Sequence, residues 1–135
     1  MKSFLKRVHE GLRKDGIAFF DLFGGTQCGD AIEDKAKRKN FTYYWDQTGF
    51  DPVSNEALFH IHFRVGGRKY EKVFTYDWRL WSIPELRDLL DEAGFSRTRI
   101  YWEGTKRDGT WNGIFKETKQ GEPCLSWICY IVAEK

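Results

Sequence analysis

A carboxylate near the end of an apolar run, an arginine set among tryptophans and two alternating histidines are the side chains whose types and spacing suit chemistry. Asp21 sits toward the carboxyl end of the run Ile17 to Phe23. Ligands of open α/β sheets gather at the carboxyl ends of strands, so Asp21 either orients a bound molecule or takes its proton, or else caps the following loop. Arg79 lies between Trp78 and Trp81. Its planar guanidinium suits a ligand carboxylate, or stacks on an indole as a structural cation–π contact. His60 and His62 are spaced to present two imidazoles to one metal, but no cysteine or third histidine accompanies them, and a solvated strand face is expected instead. Cys28, Cys124 and Cys129 form no CxxC pair and read as free, reduced thiols.

These groups must be positioned by regular elements, and the hydrophobic pattern names several. Phe4, Leu5, Val8 and Leu12 recur at helical spacing. Lys14-Asp15-Gly16 ends that helix, with Gly16 expected to take the left-handed cap. Ile17 to Phe23 then reads as a strand buried on both faces, of the kind found in parallel or mixed sheets covered by helices. No partner strand precedes it here, so an open edge and pairing between two copies through residues 17–23 are expected. The polar stretch Gly24 to Asn40 reads as a loop with a helical turn near Ala31 to Lys37.

Phe41 to Trp45 is strand-like, Asp51 to Asn55 is a turn, and Ala57, Phe59, Ile61, Phe63 and Val65 alternate on one face. Gly66-Gly67 is suited to a tight hairpin returning through Tyr70, Phe74, Tyr76 and Trp78, which makes residues 41–78 an antiparallel meander. Ser82 and Glu85 form a capping-box pattern around Pro84, and Leu86, Leu89, Leu90 and Ala93 mark a helix that Gly94-Phe95 closes. Thr98 to Trp102 is a strand, Gly104 to Pro123 a long polar excursion, and Trp127 to Val132 a final strand. Tyr101, Trp102 and Trp127 are expected in the core.

The composition narrows the class. The chain has 135 residues, 41% hydrophobic and 31% charged, which suits one globular domain over 1–135. Its 22 basic and 20 acidic side chains nearly cancel, so no field marks a nucleic-acid or membrane partner. Met1 to Leu5 lacks the long apolar run of a signal peptide, and no stretch approaches the roughly 20 apolar residues of a membrane span, so the cytoplasm is the expected compartment.

The order helix, buried strand ending in Asp21, meander, capped helix, strand, loop and strand resembles the C-terminal half of class I S-adenosylmethionine-dependent methyltransferases. Leu12-Arg13-Lys14-Asp15-Gly16 and Pro84-Glu85-Leu86 running to Ala93-Gly94-Phe95 carry the likeness. Phe74-Thr75-Tyr76-Asp77-Trp78-Arg79-Leu80-Trp81 with Tyr101-Trp102-Glu103-Gly104 resembles one bacterial, small-molecule-type subgroup.

The resemblance implies an α/β fold, the C-terminal half of a Rossmann-like sheet, with the meander 41–78 inserted as a lid. In that family the cofactor is held mainly by the other, amino-terminal half. Gly24-Gly25 lacks the strand, turn and helix context of a cofactor loop. S-adenosylmethionine is therefore expected in a complete relative and not on this chain alone, which would not transfer methyl groups by itself. The half present would supply the acceptor side, with a small molecule favoured over a macromolecule. Its candidate residues are Asp21 and Phe23, Tyr43 and Trp45, and Tyr76, Trp78, Arg79 and Trp81. The alternative is a noncatalytic binding module derived from the same fold.

Overall fold

The computed structural model describes residues 1–107 and 110–135. Along the chain run α1 (Lys2–Gly11), β1 (Ile17–Gly24), β2 (Ile32–Lys37), β3 (Thr42–Asp51), β4 (Glu56–Val65), β5 (Arg68–Arg79), α2 (Ile83–Glu92), β6 (Arg97–Thr105), β7 (Trp111–Thr118) and β8 (Trp127–Glu134). They divide into two compact units, one of Met1–Gly25 with Trp81–Lys135, the other of Thr26–Leu80.

The first unit carries a four-stranded sheet in the order β1-β8-β6-β7, antiparallel throughout. The parallel or mixed pairing expected around Ile17–Phe23 is therefore not formed. Alternation along the strands places Ala18, Phe20 and Leu22 of β1, Cys129, Ile131 and Ala133 of β8, and Ile100 and Trp102 of β6 on one face. Leu5 of α1 and Leu86 and Leu90 of α2 close over these residues, with Phe95 completing the core. The helices are amphipathic and bring only this stripe inward.

The opposite face of the same sheet carries Ile17, Phe19 and Asp21 of β1, Ile128 and Tyr130 of β8, and Tyr101 of β6. Phe19 is 62% exposed there, so β1 is not buried on both faces. A continuous apolar run signals burial on both sides only when both sides are covered, and the two helices pack on one. Trp102 and Trp127 pack against the core with their rings 5.1 Å apart, as expected, while Tyr101 faces the other way.

The ends of α2 are specified locally. Ser82 Oγ accepts from the Glu85 N–H, and the Glu85 carboxylate accepts from the Ser82 N–H. At the other end Gly94 adopts φ +100° and the Phe95 N–H donates to the Leu90 carbonyl, so the cap brings Phe95 into the core. The turn after α1 departs from expectation: Asp15, at φ 61°, takes the left-handed position. Gly16 is required for space, because a Cβ there would meet the Arg13 carbonyl at 2.8 Å.

The second unit is a four-stranded antiparallel sheet in the order β2-β3-β4-β5. The expected meander is present as β3, β4 and β5, joined by the Asp51 turn and the Gly66-Gly67 hairpin, whose glycines take φ +55° and +83°. The segment expected to loop, with a helical turn near Ala31 to Lys37, instead supplies β2, paired with β3 along its length. Ladder hydrogen bonds to β3 outweigh a helix preference that six residues cannot realise alone. In the same way the excursion expected over Gly104 to Pro123 contains β7, paired with β6, with residues 108 and 109 outside the described set.

Burial pushes the Cys129 thiol up from 9.0 to about 11. The unfolded chain releases this proton first, so the linked stability is complete below 9.0 and is lost as the pH rises through about 11. Alkaline thermal unfolding should therefore show a falling stability that is shallower in Cys129→Ala, although that variant starts less stable because of its cavity.

Candidate functional site

The second unit owes its chemistry to how its strands alternate. Pairing of Tyr43 with Phe63, Trp45 with Ile61, Gln47 with Phe59, Phe59 with Tyr76 and Ala57 with Trp78 puts their side chains on one face. Aromatic and β-branched residues favour such a pleated surface and stabilise one another across strands by about 0.2–1 kcal/mol per pair. Trp45 stacks on Phe59 at 5.1 Å and lies 6.1 Å from Tyr76 and 6.3 Å from Trp78. Tyr76 and Trp78 are 4.6 Å apart, and Phe59 lies 5.6 Å from Trp78. The result is a ring-on-ring platform in which Phe59 is fully buried and Trp78 remains 39% exposed.

Tyr43 extends this face through Phe63, at 5.9 Å. Burial, with a smaller contribution from Tyr76, raises the Tyr43 phenol above its ordinary value of 10.0. It is thus kept protonated, as a hydroxyl able to donate a hydrogen bond at the margin of an apolar surface. Such a face can hold a flat or apolar group by stacking and orient it by one polar contact.

One polar side chain with no distinctive sequence pattern holds the platform in place. Gln47 is buried, accepts from the Trp45 indole N–H at 3.2 Å, and donates through Nε2 to the carbonyls of Gln27 and Asp30, both at 2.9 Å. It fixes one indole and ties the segment before β2 to the sheet. A lone glutamine in a strand looks like a solvent-facing residue, and only the register with Phe59 reveals its inward position.

The histidines also differ from expectation. His60 and His62 are buried, not solvated. The Lys72 N–H donates to His62 Nδ1 at 2.7 Å, so the proton of the neutral ring sits on Nε2, 3.1 Å from Asp46 Oδ2. His60 Nδ1 lies 3.0 Å from the Thr75 hydroxyl. Lys72, at φ 50°, occupies an irregularity in the pairing of β4 with β5, and His62 serves the backbone N–H there. Both imidazoles are therefore structural, and among the described residues no group of three or more His, Cys, Asp or Glu is placed to hold a metal.

Of the residues singled out from the sequence, Trp45, Tyr76 and Trp78 come into mutual contact, with Tyr43 on the same face. Arg79 ends β5 in register with Glu56. Asp21, Phe23 and Trp81 belong to the first unit, where Asp21 is exposed on β1 and Phe23 is half-buried at its end. Gly24 and Gly25 also lie there, and both are packed. A Cβ on Gly24 would meet the Trp127 ring at 2.2 Å, and one on Gly25 the Leu125 carbonyl at 2.3 Å. A side chain at either position would clash, with the Trp127 ring at Gly24 and with the Leu125–Ser126 backbone at Gly25.

No protein-family model matches the chain, and no curated protein does. Among solved structures, the crystal structure of a S-adenosylmethionine-dependent methyltransferase from Clostridium acetobutylicum ATCC 824 matches with a TM-score of 0.60 at 13% sequence identity. The fold is methyltransferase-like. The match covers 98% of this chain and 50% of that protein, so the chain spans half the length of the structure it resembles. No helix of the described residues is long and apolar enough to cross a membrane.

The platform predicts an asymmetry between its two exposed and buried members. Phe59→Ala should destabilise the second unit by about 3–5 kcal/mol, the usual cost of emptying a fully buried aromatic site. Trp78→Ala, at a partly exposed ring, should cost less than about 2 kcal/mol and leave the unit folded. Urea denaturation followed by tryptophan fluorescence measures both.

Proposed function

We propose that this chain is the C-terminal, acceptor-side part of an S-adenosylmethionine-dependent methyltransferase, acting on a small molecule and dependent on a cofactor-binding half joined to it by fusion or by assembly. The observation that carries the reading is the match of nearly the whole chain to half of a methyltransferase structure. Gly24 and Gly25 have a packing explanation within the first unit, because a side chain at either would clash with Trp127 or with the Leu125–Ser126 backbone.

What the chain contributes is positioning. Methyl transfer needs an in-line approach of nucleophile to the methyl carbon, and holding the acceptor in that geometry supplies much of the acceleration. Trp45, Tyr76 and Trp78 offer a stacking surface, and the protonated Tyr43 hydroxyl offers a donor to an acceptor heteroatom. A small acceptor with one flat or apolar part and one polar atom fits that combination.

Calorimetric titration of the folded chain with S-adenosylhomocysteine tests the division of labour. The expected result is no saturable heat from the chain alone. Saturable binding by the chain alone would show that it builds a cofactor site of its own and would overturn the proposal.

A further inference from the structure

The balance of 22 basic and 20 acidic side chains, which by itself marks no partner, conceals a local segregation. Residues 35–42 carry Lys35, Lys37, Arg38 and Lys39, residues 63–70 carry Arg64, Arg68 and Lys69, and neither segment holds a carboxylate. The strand order β2-β3-β4-β5 brings the two segments to one end of the second unit's sheet, with the β2–β3 and β4–β5 turns side by side. Register sets Lys37, Thr42, Arg64 and Lys69 in one row on one face. At the usual strand spacing that row is about 14 Å wide. Lys69 is shared between Glu33 at 3.1 Å and Glu71 at 3.4 Å. The other six cations make no ion pair among the described residues. Neutral groups hold two of them in place: Arg64 donates from Nε to the Tyr44 hydroxyl at 3.1 Å and from Nη1 to the Gly67 carbonyl at 3.2 Å, and Arg68 lies over the Tyr70 ring at 5.1 Å. Like charges crowded without counter-charges repel one another, and a bound polyanion relieves that repulsion.

The other face of the sheet at this end is aromatic. Phe63 is in edge contact with Phe41 at 5.8 Å and Phe74 at 6.4 Å and pairs with Tyr70, and Phe41, Tyr70 and Phe74 are exposed. We propose that this end of the second unit binds single-stranded nucleic acid, the cations around the two turns taking its phosphates and the rings of Phe41, Tyr70 and Phe74 stacking its bases. The phosphate chain complements the charge, and every base has a π-face that an exposed ring accepts whatever the sequence. A bilayer fits less well. The turns end in Arg38-Lys39-Asn40 and Gly66-Gly67, while the rings are set back on a sheet face where a flat surface does not reach them. A duplex offers phosphates but no unstacked base. The proposal does not rest on the methyltransferase reading, since it uses no cofactor and none of Trp45, Tyr76 and Trp78.

Fluorescence anisotropy of a labelled oligouridylate of about 12 nucleotides, titrated with the full chain, tests this. The expected result is saturable binding that weakens with salt at a log–log slope of about −2 to −3, as three or four phosphate contacts at about −0.7 each would give. An abasic phosphodiester of the same length should bind about tenfold more weakly for want of stacking. A duplex and vesicles of phosphatidylserine with phosphatidylcholine should also bind more weakly than the single strand. Arg38→Glu with Lys39→Glu should weaken binding at least about tenfold and flatten the salt slope. Tyr70→Ala should weaken it about fivefold and leave the slope unchanged. Lys6→Glu with Arg7→Glu makes the same change of charge on α1 of the first unit and should have little effect. All these positions are exposed, and circular dichroism checks that each variant keeps the wild-type fold. Absence of binding at low salt, an abasic chain, duplex or vesicle bound as tightly as the oligouridylate, or an equal loss in the α1 variant would overturn the proposal.

Discussion

The last strand in the chain holds the first unit together. β8 pairs with β1 on one side and β6 on the other, so residues near opposite ends of the sequence lie side by side. Its inward residues Cys129, Ile131 and Ala133 form the surface on which Leu5, Leu86, Leu90 and Phe95 close. Bringing such distant segments together costs loop-closure entropy that only this apolar burial offsets. Every other feature of the unit follows from that contact. The helices lie on one face because their apolar stripes fit only there, and the capping box and the Gly94 cap set the length of α2 so that Phe95 lands in the same cluster.

The second unit is organised by a different interaction. Its aromatic face is tied together across β3, β4 and β5 by rings within stacking or edge contact, and its other face is not simply solvent-facing, because His60 and His62 are buried there among polar partners. Gln47 and His62 play matching parts: each satisfies backbone groups that strand pairing leaves over, one at the segment before β2, the other at the Lys72 irregularity. Burying such groups without partners would cost about 1–3 kcal/mol each. A platform built this way is stiff enough to present Trp78 and Tyr76 without spending further entropy on ordering them when a ligand arrives.

Much of this was legible in the residues themselves. α2 was legible because Ser82, Pro84, Glu85 and Gly94 act locally, and the hairpin because a Gly-Gly pair between alternating strands has few other solutions. The aromatic meander was legible from period-two alternation, and three of its platform residues from their type. What escaped depends on partners distant in sequence. β2 reads as a polar loop because its charges mark an edge strand, and its strand character comes from β3. The open face of β1 escaped because a continuous apolar run carries no record of how many layers cover it. The buried histidines escaped because their burial is set by Asp46, Thr75 and the Lys72 backbone, none of which is recognisable from His-x-His spacing.

The central claim is that this chain is half of a catalytic arrangement and supplies its acceptor side. The most direct measurement is methyl transfer from labelled S-adenosylmethionine to a panel of small aromatic and amine acceptors, with the chain alone and with a cofactor-binding half of a related methyltransferase added in trans. The account predicts no transfer by the chain alone, transfer when both halves are present, and a reduced rate with Trp78→Ala. Transfer by the chain alone, or a combined activity indifferent to the loss of Trp78, would contradict it.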